Sequence, residues 1–239
     1  MIERLLDIVW PRVCEVCGRP VDRPGRYLCS ECLMQLPMLP PTGTCRVCGR
    51  AACGLDRDYL CEDCRGPERP AFERSAAALK YEGLSRRLIH RYKFRGRLEL
   101  VPDFADFLEA AVMLRLDRTA IDLILPVPTT RWRRWDRGYN QTEYLARALA
   151  RRLDRRCAPA LLKRIGAPAP QRDLDERERR ENVKGTFAVR HPELIRGRTI
   201  LVVDDVMTTG STLSECARML KAAGAARVWA AAVARTMRD

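Results

Sequence analysis

The sequence predicts an α/β fold, a mostly parallel sheet with helices on both faces, preceded by a small metal-stabilised module. Three observations predict it. Nine of the eleven cysteines lie before residue 65, eight of them in four Cys-x₂-Cys pairs. From residue 74 onward, short apolar runs alternate with stretches of helical periodicity, the pattern of buried strands joined by crossover helices. One of those runs, Ile200–Val203, leads into Asp204-Asp205 and then the small-residue turn Thr208-Thr209-Gly210-Ser211-Thr212.

The cysteine module comes first in the chain. Cys14, Cys17, Cys29 and Cys32 form one quartet; Cys45, Cys48, Cys61 and Cys64 form another, with inner gaps of 11 and 12 residues. Each Cys-x₂-Cys places two thiolates on one knuckle turn, and two knuckles complete a tetrahedral S₄ shell for Zn²⁺. Gly18 and Gly49 follow the first pair of each quartet, where a tight turn benefits from the absence of Cβ. An iron–sulfur cluster suits this regular spacing less well. Cys53 is read as a spare thiol. Cys157 stands alone, and Cys216 shares an apolar helix face with Leu213, Ala217 and Leu220, where packing is its expected role.

Compartment supports metal over disulfides. Glu3, Arg4 and Asp7 interrupt the apolar N-terminus, so no signal-peptide core is expected, and no apolar run has the length of a membrane span. The expectation is a soluble, cytoplasmic protein without membrane insertion, where disulfides are rare. A ribbon segment this small buries little surface, so metal is expected to supply much of its folding free energy. Pro-rich linkers at 37–43 and 65–72 separate the two quartets from each other and from the rest of the chain. The expected division is therefore 1–70 for the double ribbon and 71–239 for the α/β domain.

In that second domain the expected strands are Ser75–Tyr81, Ile121–Val127, Thr199–Asp204 and Arg227–Ala234. The expected helices are Leu84–Phe94, Pro102–Leu116, Thr142–Leu153 and Ser211–Ala223. Ligands of such folds bind at the carboxyl ends of the strands. There, residues 208–212 can wrap backbone N–H groups and hydroxyls round a phosphate at a helix N-terminus. Asp204 and Asp205 suit the neighbouring hydroxyls of a ribose, directly or through a metal. A capped strand–turn–helix accounts for one Asp and one Ser, not for two carboxylates followed by TTGST.

This segment resembles the motif for 5-phosphoribosyl 1-pyrophosphate (PRPP) in type I phosphoribosyltransferases, which have a Rossmann-like sheet. By that resemblance Asp204 and Asp205 are catalytic and contact the ribose hydroxyls. Thr208, Thr209, Gly210, Ser211 and Thr212 hold the 5′-phosphate, and Mg²⁺ accompanies PRPP. The loop Leu125–Arg131, with Val127, Pro128, Thr129 and Arg131, resembles the pyrophosphate loop of the same class. The polar stretch Ile165–Phe187 resembles the hood that closes over substrate, although a solvated helix over Asp175–Lys184 accounts for most of its charge.

The likeness extends along the chain. Two ribbons, then Lys80-Tyr81-x-Gly83, Ile89-x₃-Lys93-x₂-Gly96, the Pro-Val-Pro loop and Arg137-Gly138-Tyr139-Asn140-Gln141 are similar to the ComF family. So are Gln171, Arg180-x-Asn182-Val183-x-Gly185-x-Phe187 and the final DDVMTTGSTL. Cys53 is extra; Met207 and Ser211 are mild variants. The resemblance implies a role in natural competence, with cytosolic handling of imported single-stranded DNA, and partners among cytosolic competence proteins, including a helicase-like one.

Forty-four Lys and Arg against 31 Asp and Glu give a net charge of +13, which favours polyanions without choosing among phosphates, nucleic acid and acidic proteins. Arg131, Arg133, Arg134 and Arg137 alternate with Trp132 and Trp135. Such a stretch can stack on unpaired bases while contacting phosphates. Equally, the tryptophans can pack inward and leave the arginines to a pyrophosphate. Arg147, Arg151, Arg152, Arg155 and Arg156 extend the basic character. No purine or pyrimidine reader is recognisable in Ala231–Arg235, so an enzymatic reading has no named acceptor. Nucleotide salvage and PRPP sensing without turnover stand as alternatives to a DNA role.

Overall fold

The computed structural model describes residues 12–50, 58–67, 69–129, 138–166 and 176–237. Its centre is a five-stranded parallel sheet of order β1-β7-β6-β2-β3: β1 Arg74–Lys80, β2 Leu123–Pro126, β3 Arg156–Cys157, β6 Thr199–Met207 and β7 Arg227–Arg235. Two short antiparallel strands, β4 Leu162–Arg164 and β5 Phe187–Val189, form a separate pair. The sequence expectation places the four long strands correctly and misses β3, β4 and β5, whose two or three residues are too few to show a period.

Because alternate strand residues face opposite ways, the apolar runs feed two cores. Ile124, Leu201, Val203, Ala231 and Val233 join one core with α3 Gly83–Phe94, α4 Val101–Arg115 and α5 Gln141–Leu153. Leu123, Leu125, Ile200, Val202 and Ala232 join the other with α7 Ser211–Ala222. The expected face of α7 is the buried one: Leu213, Cys216, Ala217 and Leu220 are all in this core.

The two ribbons divide between these cores. Cys14, Leu28, Cys29, Cys32 and Leu36 pack into the α3–α5 side. Cys45, Val47, Cys48, Cys61 and Cys64 pack into the α7 side. The Pro-rich linker between them runs along the outer edge of β1: the Leu39 amide donates to the Ala78 carbonyl, and the Lys80 amide to the Pro37 carbonyl, both at 2.8 Å. A strand edge that would otherwise expose unpaired backbone is thereby covered.

Charge fastens the first ribbon to α4. Arg23 pairs with Asp103 at 2.8 Å, Arg26 Nε with Asp106 at 2.5 Å, and the Tyr27 amide donates to Asp103 at 2.7 Å. The Asp103 side chain is fully buried, while Arg23 keeps partial contact with water. Truncating Asp103 strands the Tyr27 amide and leaves a half-buried guanidinium. Asp103→Ala should therefore lower the unfolding free energy by about 2–3 kcal/mol in urea titration. Burial pushes the Asp103 carboxyl up despite both donors, so neutral Asp103→Asn, which keeps an acceptor for Tyr27, should lose less. An unchanged urea midpoint for Asp103→Ala would show that the ribbon does not lean on α4.

Candidate functional site

Both metal centres are built by the same local bonding. In the first, the Gly18 amide donates to Cys14 O, Cys14 N to Arg19 O and Glu15 N to Tyr27 O. In the second, Gly49, Cys45 and Arg46 repeat these bonds with Cys45, Arg50 and Tyr59. Gly18 and Gly49 have φ of 72° and 70°, the left-handed conformation that a Cβ would strain. Cys29 and Cys61 cap the short helices α1 Ser30–Met34 and α2 Glu62–Arg65, which place the second thiol pair of each site.

Within each quartet the sulfurs lie within 4.8 Å of one another. Tetrahedral zinc with bonds of about 2.3 Å sets the sulfur–sulfur edges near ~3.8 Å. Cys17 and Cys29 are 3.8 Å apart and Cys48 and Cys61 3.6 Å, so both sites fit zinc. The sites differ in exposure. Cys17 is exposed, whereas every ligand of the second site is buried. Cys53, taken as a spare thiol, lies outside the described residues.

The second cluster lies at the carboxyl ends of β2 and β6. The structure extends β6 to Met207, past the expected end at Asp204, because pairing with β7 continues through Val206↔Ala234 and Met207↔Arg235. Both carboxylates thus sit on extended strand backbone, not in the turn. Asp204 is half-buried and accepts from the Asp205 amide at 2.9 Å. Burial, and then the neighbouring Asp205 charge, push its carboxyl up to about 8, partly opposed by Lys93. Asp205 is buried and paired with Lys93 Nζ at 2.7 Å.

Lys93 is the site residue that reasoning from the sequence did not single out. It stands in the last turn of α3. Burial acts against its charge, yet Asp205 and Asp204 together hold its pKa above the ordinary value. Its backbone is fixed from behind: Gln141 Nε2 donates to the Tyr92 and Lys93 carbonyls, each at 2.7 Å, and Tyr92 Oη donates to Gln141 O at 2.6 Å. The only signal for it in the sequence was its place in Ile89-x₃-Lys93-x₂-Gly96, which assigns no charge partner.

After β6 the chain turns through Thr208 and Thr209 into Gly210, whose φ of 81° opens α7. Thr208 is exposed, Thr209 and Thr212 are half-buried, and Ser211 is buried. Thr209 Oγ1 lies 2.6 Å from Ser211 Oγ and accepts from the Ser211 amide at 3.3 Å. A Cβ at position 210 would sit 3.5 Å from Phe72 in a conformation that side chains rarely adopt. The first-turn amides of α7 point out of this turn with the positive end of the helix dipole.

The neighbouring loop after β2 is anchored at Val127. Its amide donates to Val203 O at 2.8 Å and its carbonyl accepts from Asn140 Nδ2 at 3.2 Å. Val127 is buried and holds the loop in place; Pro128 and Thr129 are half-buried beyond it. Arg131, Arg133, Arg134 and Arg137, with Trp132 and Trp135, lie outside the described residues. Of the basic positions further along the chain, Arg147 pairs with Glu143 and Arg152 with Asp106 and Glu109. Those two charges are therefore largely matched within the fold.

The stretch compared above to a hood holds regular structure within its described residues. The pair β4–β5 flanks it, and α6 Glu176–Val183 corresponds to the helix expected at 175–184. It is docked: Val183 is buried, and the Gly185 amide donates to Glu215 Oε1 on α7 at 2.7 Å. Gln171 and the rest of 167–175 lie outside the described residues. Between α6, the α7 N-terminus and the second linker opens a cleft of about 430 Å³, bordered by Arg69, Lys184, Thr209, Ser211 and Ser214.

A parallel sheet carrying this strand-end site, with two Cys₄ zinc ribbons packed on its faces, defines the class: a double zinc ribbon joined to a phosphoribosyltransferase domain. Family models match accordingly, a double zinc ribbon domain over residues 5–65 and a phosphoribosyl transferase domain over 142–239. The chain is 34% identical over 225 residues to the DNA utilization protein YhgH of Escherichia coli O6:H1, covering 88% of this chain and 97% of that one. To competence protein F of Haemophilus influenzae it is 33% identical, covering 82% and 85%. To competence protein ComFC of Bacillus subtilis it is 27% identical, covering 85% and 82%. The chain belongs to the ComF family.

Proposed function

We propose that the protein binds PRPP with Mg²⁺ at the carboxyl ends of β2 and β6 and serves natural competence by handling imported single-stranded DNA in the cytosol. The observation that carries the first half is the convergence of Asp204, Asp205, the left-handed Gly210 turn and the α7 N-terminus beside the Val127–Thr129 loop. In this reading Thr208–Thr212 take the 5′-phosphate, and Asp204 and Asp205 face the ribose hydroxyls. Carboxylate oxygens are hard donors that suit Mg²⁺ when it accompanies the pyrophosphate, whose charge it neutralises. Lys93 positions Asp205. The α6 hood over the α7 N-terminus would keep water from the anomeric carbon, which matters if the phosphoribosyl group passes to an acceptor as pyrophosphate leaves.

The second half rests on the kinship with competence protein F, ComFC and the DNA utilization protein YhgH, and on a net charge of +13. No helix among the described residues is long and apolar enough to cross a membrane. We take Arg131, Arg133, Arg134 and Arg137 as the strand-contacting group and a helicase-like competence component as a partner. Residues 1–70 and 71–239 are taken as two units of sequence that fold together.

Calorimetric titration of Mg²⁺–PRPP into zinc-loaded protein, with ribose 5-phosphate as comparison, tests the sugar site; no heat from folded protein would remove it. Anisotropy of a labelled single strand tests the DNA role. Affinity should fall steeply with log salt, by about 0.7 in slope for each phosphate neutralised. A flat salt dependence, together with product formed from PRPP and a free base, would favour nucleotide salvage instead.

A further inference from the structure

We propose that Arg235, on the last strand of the sheet, is the buried charge partner of the second zinc centre. Arg235 is 2% exposed, and its Nε and Nη1 have no hydrogen-bond partner. Among the described residues no carboxylate pairs with it. Burial, with the Arg50 charge adding to it, holds the Arg235 pKa below the ordinary arginine value, and the sulfurs of Cys48, Cys64 and Cys45 act the other way, favouring its ionised form. Its side chain reaches the metal knuckle itself: a Cβ on Gly49 would stand 3.5 Å from Arg235 Cδ and 3.5 Å from Ser75 Oγ. Ser75 Oγ is also buried without a partner, so two side chains with unsatisfied donors border one turn.

A buried guanidinium left alone costs several kcal/mol. Zinc held by four thiolates is a dianion, and the second site is buried at all four ligands, so water cannot screen it. Each charge answers the other. The first centre needs no such partner, because Cys17 is exposed and Arg19 beside it is solvated. Outer-shell groups of this kind tune metal affinity. The backbone of Arg235 also ties the centre to the strand ends: Tyr81 N donates to Arg235 O at 2.7 Å, and Thr236 N to Met207 O at 3.0 Å, one residue before Thr208.

The test uses full-length protein loaded with ¹¹³Cd, in which each Cys₄ centre gives its own resonance, under competition with a chelator. In Arg235→Met the second-site resonance should be lost at about 10–100-fold lower chelator than in wild type, with the first site unchanged as internal reference. Arg235→Lys should recover part of the loss. Wild-type release from both sites of a folded Arg235→Met protein would overturn the proposal. Should Arg235→Met not fold, the guanidinium ¹⁵Nε resonance of Arg235 in folded, fully metal-loaded wild type decides: it should move when Zn²⁺ replaces Cd²⁺ at the second site, and a stationary resonance overturns the proposal equally.

Discussion

Stripping zinc from the protein should abolish the cooperative unfolding of the sheet as well as the order of the ribbons. Structural zinc supplies an apparent ~10–16 kcal/mol in small ribbons, while whole domains are stable by only about 5–15 kcal/mol. Here the metal ligands are not in an appendage. Cys14, Cys29 and Cys32 belong to the core that contains Leu201 and Val203; Cys45, Cys48, Cys61 and Cys64 belong to the core that contains Ile200 and Val202. Releasing the second metal would free four buried thiols to gain protons and leave Arg235 without its charge partner. The Pro37–Leu39 segment, held on β1 by two backbone hydrogen bonds, would lose the ordered ribbons on either side of it. Circular dichroism during heating in strong chelator should show no native transition, and restored Zn²⁺ should bring it back. A metal-free protein that keeps the wild-type melting of its sheet, losing only ribbon signal, would contradict this coupling.

The same arrangement explains what could be read from the sequence and what could not. The eight zinc ligands were legible because Cys-x₂-Cys spacing is itself a geometric statement. The long strands were legible because their runs are apolar on both faces, and α7 because Leu213, Cys216, Ala217 and Leu220 recur at helical spacing. Illegible were contacts made by single residues far apart in sequence. Leu28, Leu36 and Val47 fasten the ribbons to opposite faces of the sheet, but lie in short irregular segments with no period to announce them. Lys93 and Asp205 meet across 112 positions, so their ion pair leaves no local mark. The expected last strand, Arg227–Ala234, stops one residue short of Arg235. In the structure β7 includes it. A lone cation after an apolar run is ambiguous until the partner that neutralises it is in view.

Replacing Asp204 and Asp205 by Asn should reduce Mg²⁺–PRPP affinity by about 10²–10⁴-fold, since each charge-assisted contact is worth roughly 1.5–3 kcal/mol. The single variants separate binding from folding. Asp205→Asn leaves Lys93 as an unpaired, largely buried cation and should cost stability as well as affinity. Asp204→Asn should do the reverse. Burial, and then Asp205, raise the Asp204 carboxyl from an ordinary 3.8 to about 8. The folded state therefore holds this proton more tightly than the unfolded chain, and ionising Asp204 opposes folding as pH rises from about 4 to about 8. Asp204→Asn removes that cost, so the ligand-free variant should be more stable than wild type at pH 8 and close to it at pH 4. Binding has the opposite sign. If the ligand prefers the carboxylate, wild-type affinity should climb through pH 8 with uptake of a proton by the buffer, seen as heats that vary with buffer ionisation enthalpy. The same dependence should vanish in Asp204→Asn. A variant that binds Mg²⁺–PRPP as wild type does, with the same pH profile, would remove Asp204 from the site and leave its raised carboxyl as a packing cost alone.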